Sequence, residues 1–86
     1  MEFLFKDEAE FDLGYWYRTD KKIIKKIESL LRSMKETPFE GIGKPEALKE
    51  NLSGYWSRRI NREHRILYKV DNEIITIYSF RGHYEK

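Results

Sequence analysis

The chain has 86 residues, 40% of them hydrophobic and 37% charged, and a formal net charge of +2. This length predicts a single domain over residues 1–86, because two separate cores would each be too small to fold alone. The absence of cysteine excludes a disulfide framework and a thiolate metal site, and it favours the reducing cytoplasm. We expect no membrane association, since no apolar run approaches ~20 residues and Met1–Phe5 does not resemble a signal peptide.

The first elements along the chain are a short strand at Met1–Phe5 and a helix that we expect to begin after a cap at Asp7 and to end near Thr19. Acidic residues in its first turn suit the positive end of the helix dipole. We assign its apolar residues to the core because they recur at helical spacing, namely Phe11, Leu13, Tyr15 and Trp16.

A second helix is predicted after Asp20, which is a plausible N-cap. Apolar residues follow the i, i+3, i+4, i+7 pattern of one buried stripe: Ile23, Ile24, Ile27, Leu30, Leu31 and Met34. The cations off that stripe point to solvent, and they are Lys21, Lys22, Lys25 and Arg32. They either keep the protein soluble or approach phosphates.

Both prolines and two glycines fall in Thr37–Pro45, which predicts a loop. Three strand-like runs follow at Tyr55–Ile60, Arg65–Val70 and Ile74–Arg81, and their short connections predict an antiparallel meander. The expected fold is therefore α+β: a small antiparallel sheet, made of the N-terminal strand and this meander, packed against two N-terminal helices.

The last two runs predict which side chains share a face. If Asp71–Glu73 is a three-residue turn, Val70 pairs with Ile74. The core face then holds Ile66, Tyr68, Val70, Ile74, Thr76, Tyr78 and Phe80. The opposite face presents Arg65, Leu67, Lys69, Ile75, Ile77, Ser79 and Arg81, and it includes His83 if the strand continues. Arg65 and His83 then share one polar end of the sheet.

The charged residues are unevenly distributed. Seven basic residues lie between Arg18 and Lys35 against two acidic ones, and seven more lie between Lys44 and Lys69 against three. Such clusters favour a polyanionic partner. An ordinary solvated surface explains the same clusters equally well.

No pattern predicts a metal site or a cofactor, because His64 and His83 are the only histidines and have no ligand spacing. A metal-free acid–base site is the remaining chemistry. RNA supplies its own nucleophile, the 2′-hydroxyl, so cleavage needs a base, cations for the phosphorane and an acid. Glu46, Arg65 and His83 are of those types. Glu46 and His83 also have structural explanations, as a solvated loop carboxylate and a residue in a frayed tail. Arg58 and Arg59 are explained as strand arginines whose side chains reach water.

Five motifs follow one another along the chain: Thr19–Ile27, Gly43-Lys-Pro-Glu46, Ser57-Arg-Arg-Ile60, Glu63-His-Arg65 and His83-Tyr84. Their order resembles the YoeB/Txe branch of the RelE toxin superfamily. The resemblance covers nearly the whole chain and implies a RelE-like, microbial-RNase-like fold. Its one departure is that Glu85 and Lys86 follow the C-terminal tyrosine.

The resemblance also implies functional roles at matching positions. Glu46 matches the general base, His83 the general acid and Arg65 the cation that stabilises the transition state. Lys49, Arg59 and Tyr84 match residues that bind the substrate phosphate. The implied protein is a metal-independent, ribosome-dependent endoribonuclease that cleaves mRNA in the ribosomal A site, often as a homodimer, and is neutralised by a YefM/Axe-like antitoxin.

Two other classes of function remain open from the sequence. One is a binding module on the same scaffold: a non-catalytic RNA or ribosome binder, or a relative of the gyrase-poisoning ParE toxins. The other is a purely structural interaction domain. Cleavage is favoured because Glu46, Arg65 and His83 occur together, which the binding modules do not require.

Overall fold

The computed structural model describes residues 1–83, which form two helices and five strands. The chain runs in the order β1 (Glu2–Phe5), α1 (Asp7–Thr19), α2 (Lys21–Glu36), β2 (Glu46–Ala47), β3 (Trp56–Arg59), β4 (Arg65–Asp71) and β5 (Ile74–Ser79). A single 3-10 turn, Glu50–Leu52, lies between β2 and β3. Among these residues no helix is both long and apolar enough to cross a membrane.

The five strands form one mixed sheet in the order β1-β5-β4-β3-β2. The predicted C-terminal meander is confirmed, since β3, β4 and β5 pair antiparallel. Two parts of the predicted sheet were wrong. β1 pairs with β5 in parallel, because the helices carry the chain back to the other end before the meander begins. Glu46, expected in a loop, starts the two-residue strand β2 on the outer edge of β3.

Both helices pack on one face of the sheet and bury the apolar stripe of α2. The cap at Asp20 is confirmed, because its carboxylate accepts a 3.1 Å hydrogen bond from the amide of Lys22. The cap at Asp7 was wrong: Asp7 is the first helical residue, and Lys6 precedes it without a side-chain cap. Phe11 is also misassigned, since 66% of its surface is exposed while Trp16 is buried. α1 is covered on one side only, so part of its aromatic set faces solvent.

The register of the β4–β5 hairpin differs from the prediction. The turn contains two residues, Asn72 and Glu73, both with positive φ, so Val70 pairs with Ile75 and not with Ile74. Ile75 and Ile77 are therefore core residues, whereas Ile74, Thr76 and Tyr78 lie on the other face. Between Tyr68 and Leu67 a bulge adds one residue to β5, so that Leu67 pairs with Ser79. Beyond the bulge, the odd-numbered residues of both strands lie on the same face, as the sequence predicted.

Arg58 lies fully buried on the helix-facing side of the sheet, although as a strand arginine it was expected to reach water. Its guanidinium donates to the Ser33 hydroxyl at 2.8 Å, to the Tyr68 hydroxyl at 3.2 Å and to the carbonyl of Thr37 at 2.6 Å. It also donates to the carbonyls of Glu40 and Ile42. Arg58 thereby holds the loop after α2 against the sheet, and this loop leads directly into β2.

Candidate active site

The face of the sheet opposite the helices carries a row of four directly paired residues. Glu46 pairs with Ser57, Ser57 with Leu67, and Leu67 with Ser79. Directly paired residues of neighbouring strands project from the same face. Glu46 therefore lies on the same side of the sheet as Arg59, which is two residues beyond Ser57 on β3. The strand β2 brings the carboxylate to this face.

Arg59 and Arg65 occupy the next row, directly opposite each other on β3 and β4. Residues in this relationship have Cβ atoms about 5 Å apart, and like charges placed so are unfavourable unless an anion lies between them. Glu46 is the diagonal neighbour of Arg59, a separation of about 7 Å within reach of long side chains. One glutamate and two arginines thus occupy neighbouring positions on one face, a combination of residue types suited to a phosphodiester and a base beside it.

Arg65 is held in place by the turn that precedes it. Only 7% of its surface is exposed, and its Nη1 donates to the backbone carbonyls of Asn61 at 2.7 Å and His64 at 3.2 Å. The turn is itself fixed, because the side-chain oxygen of Asn61 accepts hydrogen bonds from the amides of Glu63 and His64. This guanidinium is therefore preorganised, which reduces the cost of orienting it toward a developing negative charge.

The segment before His83 is fastened to the start of β4. The amide of Arg65 donates to the carbonyl of Gly82 at 2.8 Å, and the amide of Gly82 donates to Nδ1 of His64 at 3.1 Å. Gly82 has φ +102°, a conformation that glycine adopts without strain. His83, which is exposed, follows immediately. The backbone thus places His83 beside the strand that carries Arg65.

Helix α1 anchors the same segment one step earlier. The Asp12 carboxylate accepts a 2.9 Å hydrogen bond from the amide of Phe80, and the indole of Trp16 donates to the carbonyl of Phe80 at 3.0 Å. Trp16 also packs edge-on against His64, with ring centroids 5.0 Å apart. Sequence reasoning missed Asp12 and His64 as positioning residues. The available signal was an acidic residue on the buried side of an amphipathic helix, and Asp12 is buried.

The two other candidate phosphate ligands are placed less closely. Lys49 is exposed and lies just before the 3-10 turn, three residues after Glu46. Tyr84 lies outside the described residues. Within residues 1–83 no three or more histidine, aspartate or glutamate side chains are grouped as they would be around a metal ion.

A cleft of about 620 Å³ continues along this face from the paired row. Leu67 and Ser79 belong to both the row and the cleft. The cleft is lined by two tyrosine rings, Tyr55 and Tyr78, whose centroids are 5.0 Å apart. The ammonium of Lys69 lies 4.4 Å from the Tyr55 ring centre. Asp7 and Glu8 also line the cleft, so its charge is mixed.

Comparison with known proteins gives a consistent result over the full chain. Residues 5–84 match the family model described as the YoeB-like toxin of bacterial type II toxin–antitoxin systems. The chain is 50% identical to toxin YoeB of Escherichia coli K12 over 84 residues, which are 98% of this chain and all of that protein. It is 45% identical to toxin YoeB of a Synechocystis strain over the whole length of both.

Solved structures of similar proteins share this fold. A YoeB/ParE toxin from Agrobacterium tumefaciens superposes with a TM-score of 0.93 at 42% identity, covering 98% of this chain and all of that one. The toxin in a heterotetrameric YoeB–YefM complex from Staphylococcus aureus gives 0.88 at 51% identity over 95% of each chain. A YoeB dimer from the same species gives 0.90 at 49% identity over 98% of each.

Proposed function

The chain belongs to the YoeB-like toxins of bacterial type II toxin–antitoxin systems, and we propose that it inhibits translation as an endoribonuclease that cleaves mRNA on the ribosome. The observation that carries this proposal is the pairing of Arg59 with Arg65 on the face that also holds Glu46. Two arginines at opposed positions, with a glutamate at the diagonal one, supply the charges that a phosphodiester undergoing attack requires.

The reaction follows from the roles of four side chains. Glu46 accepts the proton of the 2′-hydroxyl while the 2′-oxygen forms a bond to phosphorus. Arg65, with Arg59, stabilises the additional negative charge of the pentacoordinate intermediate. The bond from phosphorus to the 5′-oxygen then breaks, and His83 donates a proton to that oxygen. The products are a 2′,3′-cyclic phosphate, which water opens to a 3′-phosphate, and a 5′-hydroxyl.

Lys49 and Tyr84 complete the proposed site. Lys49 is on the connection that follows Glu46, so its ammonium is available to a neighbouring phosphate oxygen. Tyr84 follows His83 directly in the sequence and is proposed to contact the same phosphate. No bound metal or organic cofactor has a step in this mechanism, because RNA provides the nucleophile and the side chains provide the acid and the base.

The proposed partners follow from the family. A YefM-type antitoxin forms a heterotetramer with the Staphylococcus aureus YoeB, and we propose a cognate YefM/Axe-like antitoxin here. An acidic, partly disordered segment suits the basic surface that the antitoxin must cover. The Staphylococcus aureus YoeB also forms a dimer, which supports a homodimer for this chain. The proposed substrate is mRNA in the A site of the bacterial ribosome, and the proposed location is the cytoplasm.

The test uses programmed ribosomes and an mRNA with a single 2′-deoxynucleotide at the cleavage position, with unmodified mRNA as the control. The toxin is first dialysed against EDTA, since chelator added to the reaction would also remove the magnesium that ribosomes need. We expect the control mRNA to be cut to a cyclic phosphate and a 5′-hydroxyl, and the deoxy mRNA to survive. Cleavage of the deoxy mRNA, or inactivity after dialysis that metal restores, would contradict the mechanism.

A further inference from the structure

A shallow depression of about 360 Å³ adjoins Arg59 and is lined by four separate segments of the chain. We call it the basic depression. Its lining residues come from α2, the loop before β2, the end of β3 and the turn before β4: Lys26, Gly43, Lys44, Arg59, Ile60, Asn61 and Arg62. Four of these are cations and none is acidic. In a protein whose net charge is only +2, this is a strong local concentration of positive charge.

The loop on one side of the basic depression has a fixed backbone. The amide of Arg59 donates to the carbonyl of Gly43 at 2.7 Å. Gly43 has φ +83°, and a Cβ atom there would lie 2.6 Å from Cδ2 of Leu30, so any other residue would strain the backbone and displace the Leu30 side chain. The next residue, Lys44, has φ +50°, which is unfavourable for a side chain of its type. The hydrogen bond at Gly43 fixes the backbone immediately before Lys44, which lines the depression.

The turn on the other side is also fixed, and it connects the basic depression to the proposed active site. Arg62 lies between Asn61 and Glu63, whose turn is closed by the Asn61 side chain. Nη1 of Arg65 donates to the Asn61 carbonyl at 2.7 Å. The arginine proposed to stabilise the reacting phosphate therefore braces the turn that presents Arg62. Arg59 is the residue directly opposite Arg65 in the sheet, and it also lines the basic depression.

We propose that the basic depression binds a second RNA phosphate, separate from the one that is cleaved. The proposal rests on the proposed function, which supplies the RNA and places the reacting phosphate at Arg59 and Arg65. Lysine and arginine around a concave surface without carboxylates are complementary to a phosphate group. Because Arg59 is shared, a phosphate here and the cleaved one are neighbours. The phosphate comes either from the cleaved strand or from ribosomal RNA, which have the same backbone chemistry.

The first experiment measures the affinity of the protein for oligonucleotides that it cannot cleave. Every nucleotide that could be cleaved is a 2′-deoxynucleotide, which lacks the 2′-hydroxyl nucleophile. The test variant is Lys26→Gln/Arg62→Gln. The matched control is Lys22→Gln/Arg32→Gln, which removes the same charge from exposed positions outside the depression. For a hexanucleotide we expect the test variant alone to bind about tenfold more weakly. Its plot of log affinity against log salt should also become less steep by about 0.7, the slope that a single phosphate contributes. A dinucleotide with one phosphate should bind both variants alike.

The second experiment measures cleavage on programmed ribosomes with the same variants. If the hexanucleotide binds both variants equally but KM on ribosomes rises at least fivefold only in the test variant, the second phosphate belongs to ribosomal RNA. The proposal is overturned if the two variants are weakened equally in affinity and KM, or if the dinucleotide already distinguishes them. A failure of cleavage itself does not affect the binding measurement, so the two proposals fail separately.

Discussion

Nδ1 of His64 accepts a 3.1 Å hydrogen bond from the backbone amide of Gly82. Its neighbour Arg65 donates its own amide to the carbonyl of the same glycine at 2.8 Å. His64 and Arg65 therefore bind both backbone polar groups of Gly82, its amide and its carbonyl. Because Gly82 directly precedes His83, these two hydrogen bonds fix the backbone from which the proposed general acid extends.

Replacing His64 should misplace His83 without unfolding the protein. His64→Phe keeps the ring contact with Trp16 but removes the acceptor for the Gly82 amide, whereas His64→Asn places an oxygen close to the position of Nδ1. We expect His64→Phe to lower kcat on programmed ribosomes by ~10–10²-fold, since small displacements of a reacting group have effects of that size. Faster hydrogen exchange at the Gly82 amide should accompany the loss. Full activity in His64→Phe would show that this bond does not position the acid.

Arg65→Ala should lower the cleavage rate by ~10²–10³-fold, the usual effect of removing one charged group that stabilises the transition state. Arg65 also braces its turn through Nη1, so single-turnover rates must be compared with urea unfolding of the same variant. The control is Arg32→Ala, which removes an exposed arginine of α2 and should leave the rate unchanged. A rate for Arg65→Ala within threefold of wild type would remove this residue from the mechanism.

His83→Gln should lower the rate and leave stability intact, because His83 is exposed and follows the last strand. Glutamine keeps a similar size and hydrogen-bonding capacity but donates no proton to the leaving oxygen. A substrate whose 5′-oxygen is replaced by sulfur needs little protonation on leaving, and it should restore most of the lost rate. An equal defect on both substrates would assign His83 a role other than general acid.

Arg58 and Arg59 are adjacent in sequence but should respond oppositely to truncation. Arg58 is fully buried and donates to two hydroxyls and three carbonyls, so Arg58→Ala removes the donor from five acceptors and leaves a cavity under the loop after α2. We expect the free energy of unfolding to fall by about 3 kcal/mol or more. Arg59 is exposed, and Arg59→Ala should change stability by less than about 0.5 kcal/mol while weakening RNA binding. Urea titrations of the two variants make the comparison, and similar stability losses would refute it.

Tyr68 should make stability fall at high pH. Burial raises the pKa of the Tyr68 hydroxyl above its usual value of 10.0, although Arg58 opposes the shift through a hydrogen bond and its charge. A raised folded-state pKa favours the protonated form in the native protein. Its contribution to stability is therefore complete below the unfolded pKa and is lost as the pH rises through the folded one. Urea unfolding at about pH 9 and about pH 11 should show a steeper loss in wild type than in Tyr68→Phe. Equal slopes would contradict this assignment.

Local sequence patterns determined the elements and the family. The stripe of α2, its cap at Asp20 and the three C-terminal strands follow from periodicity and turn residues within short windows. The ordered motifs from Thr19 to Tyr84 predicted the toxin family, and the family model that matches residues 5–84 confirms it. Glu46, Arg65 and His83 were named from side-chain chemistry and that resemblance.

Contacts between distant segments decided the rest. In the β4–β5 hairpin, a two-residue turn and a bulge determine that Ile75 and Ile77 enter the core and Ile74 does not. The free energy that favours this strand register over the alternatives comes from side-chain packing between strands. The different environments of Arg58 and Arg59 depend on which side of β3 the helices cover. The hydrogen bonds that hold Phe80 and Gly82 join residues up to 68 positions apart. The sequence by itself determined which groups are available for chemistry, and the tertiary structure decided which of them share a face, because direction and register are set by pairing partners that no local window contains.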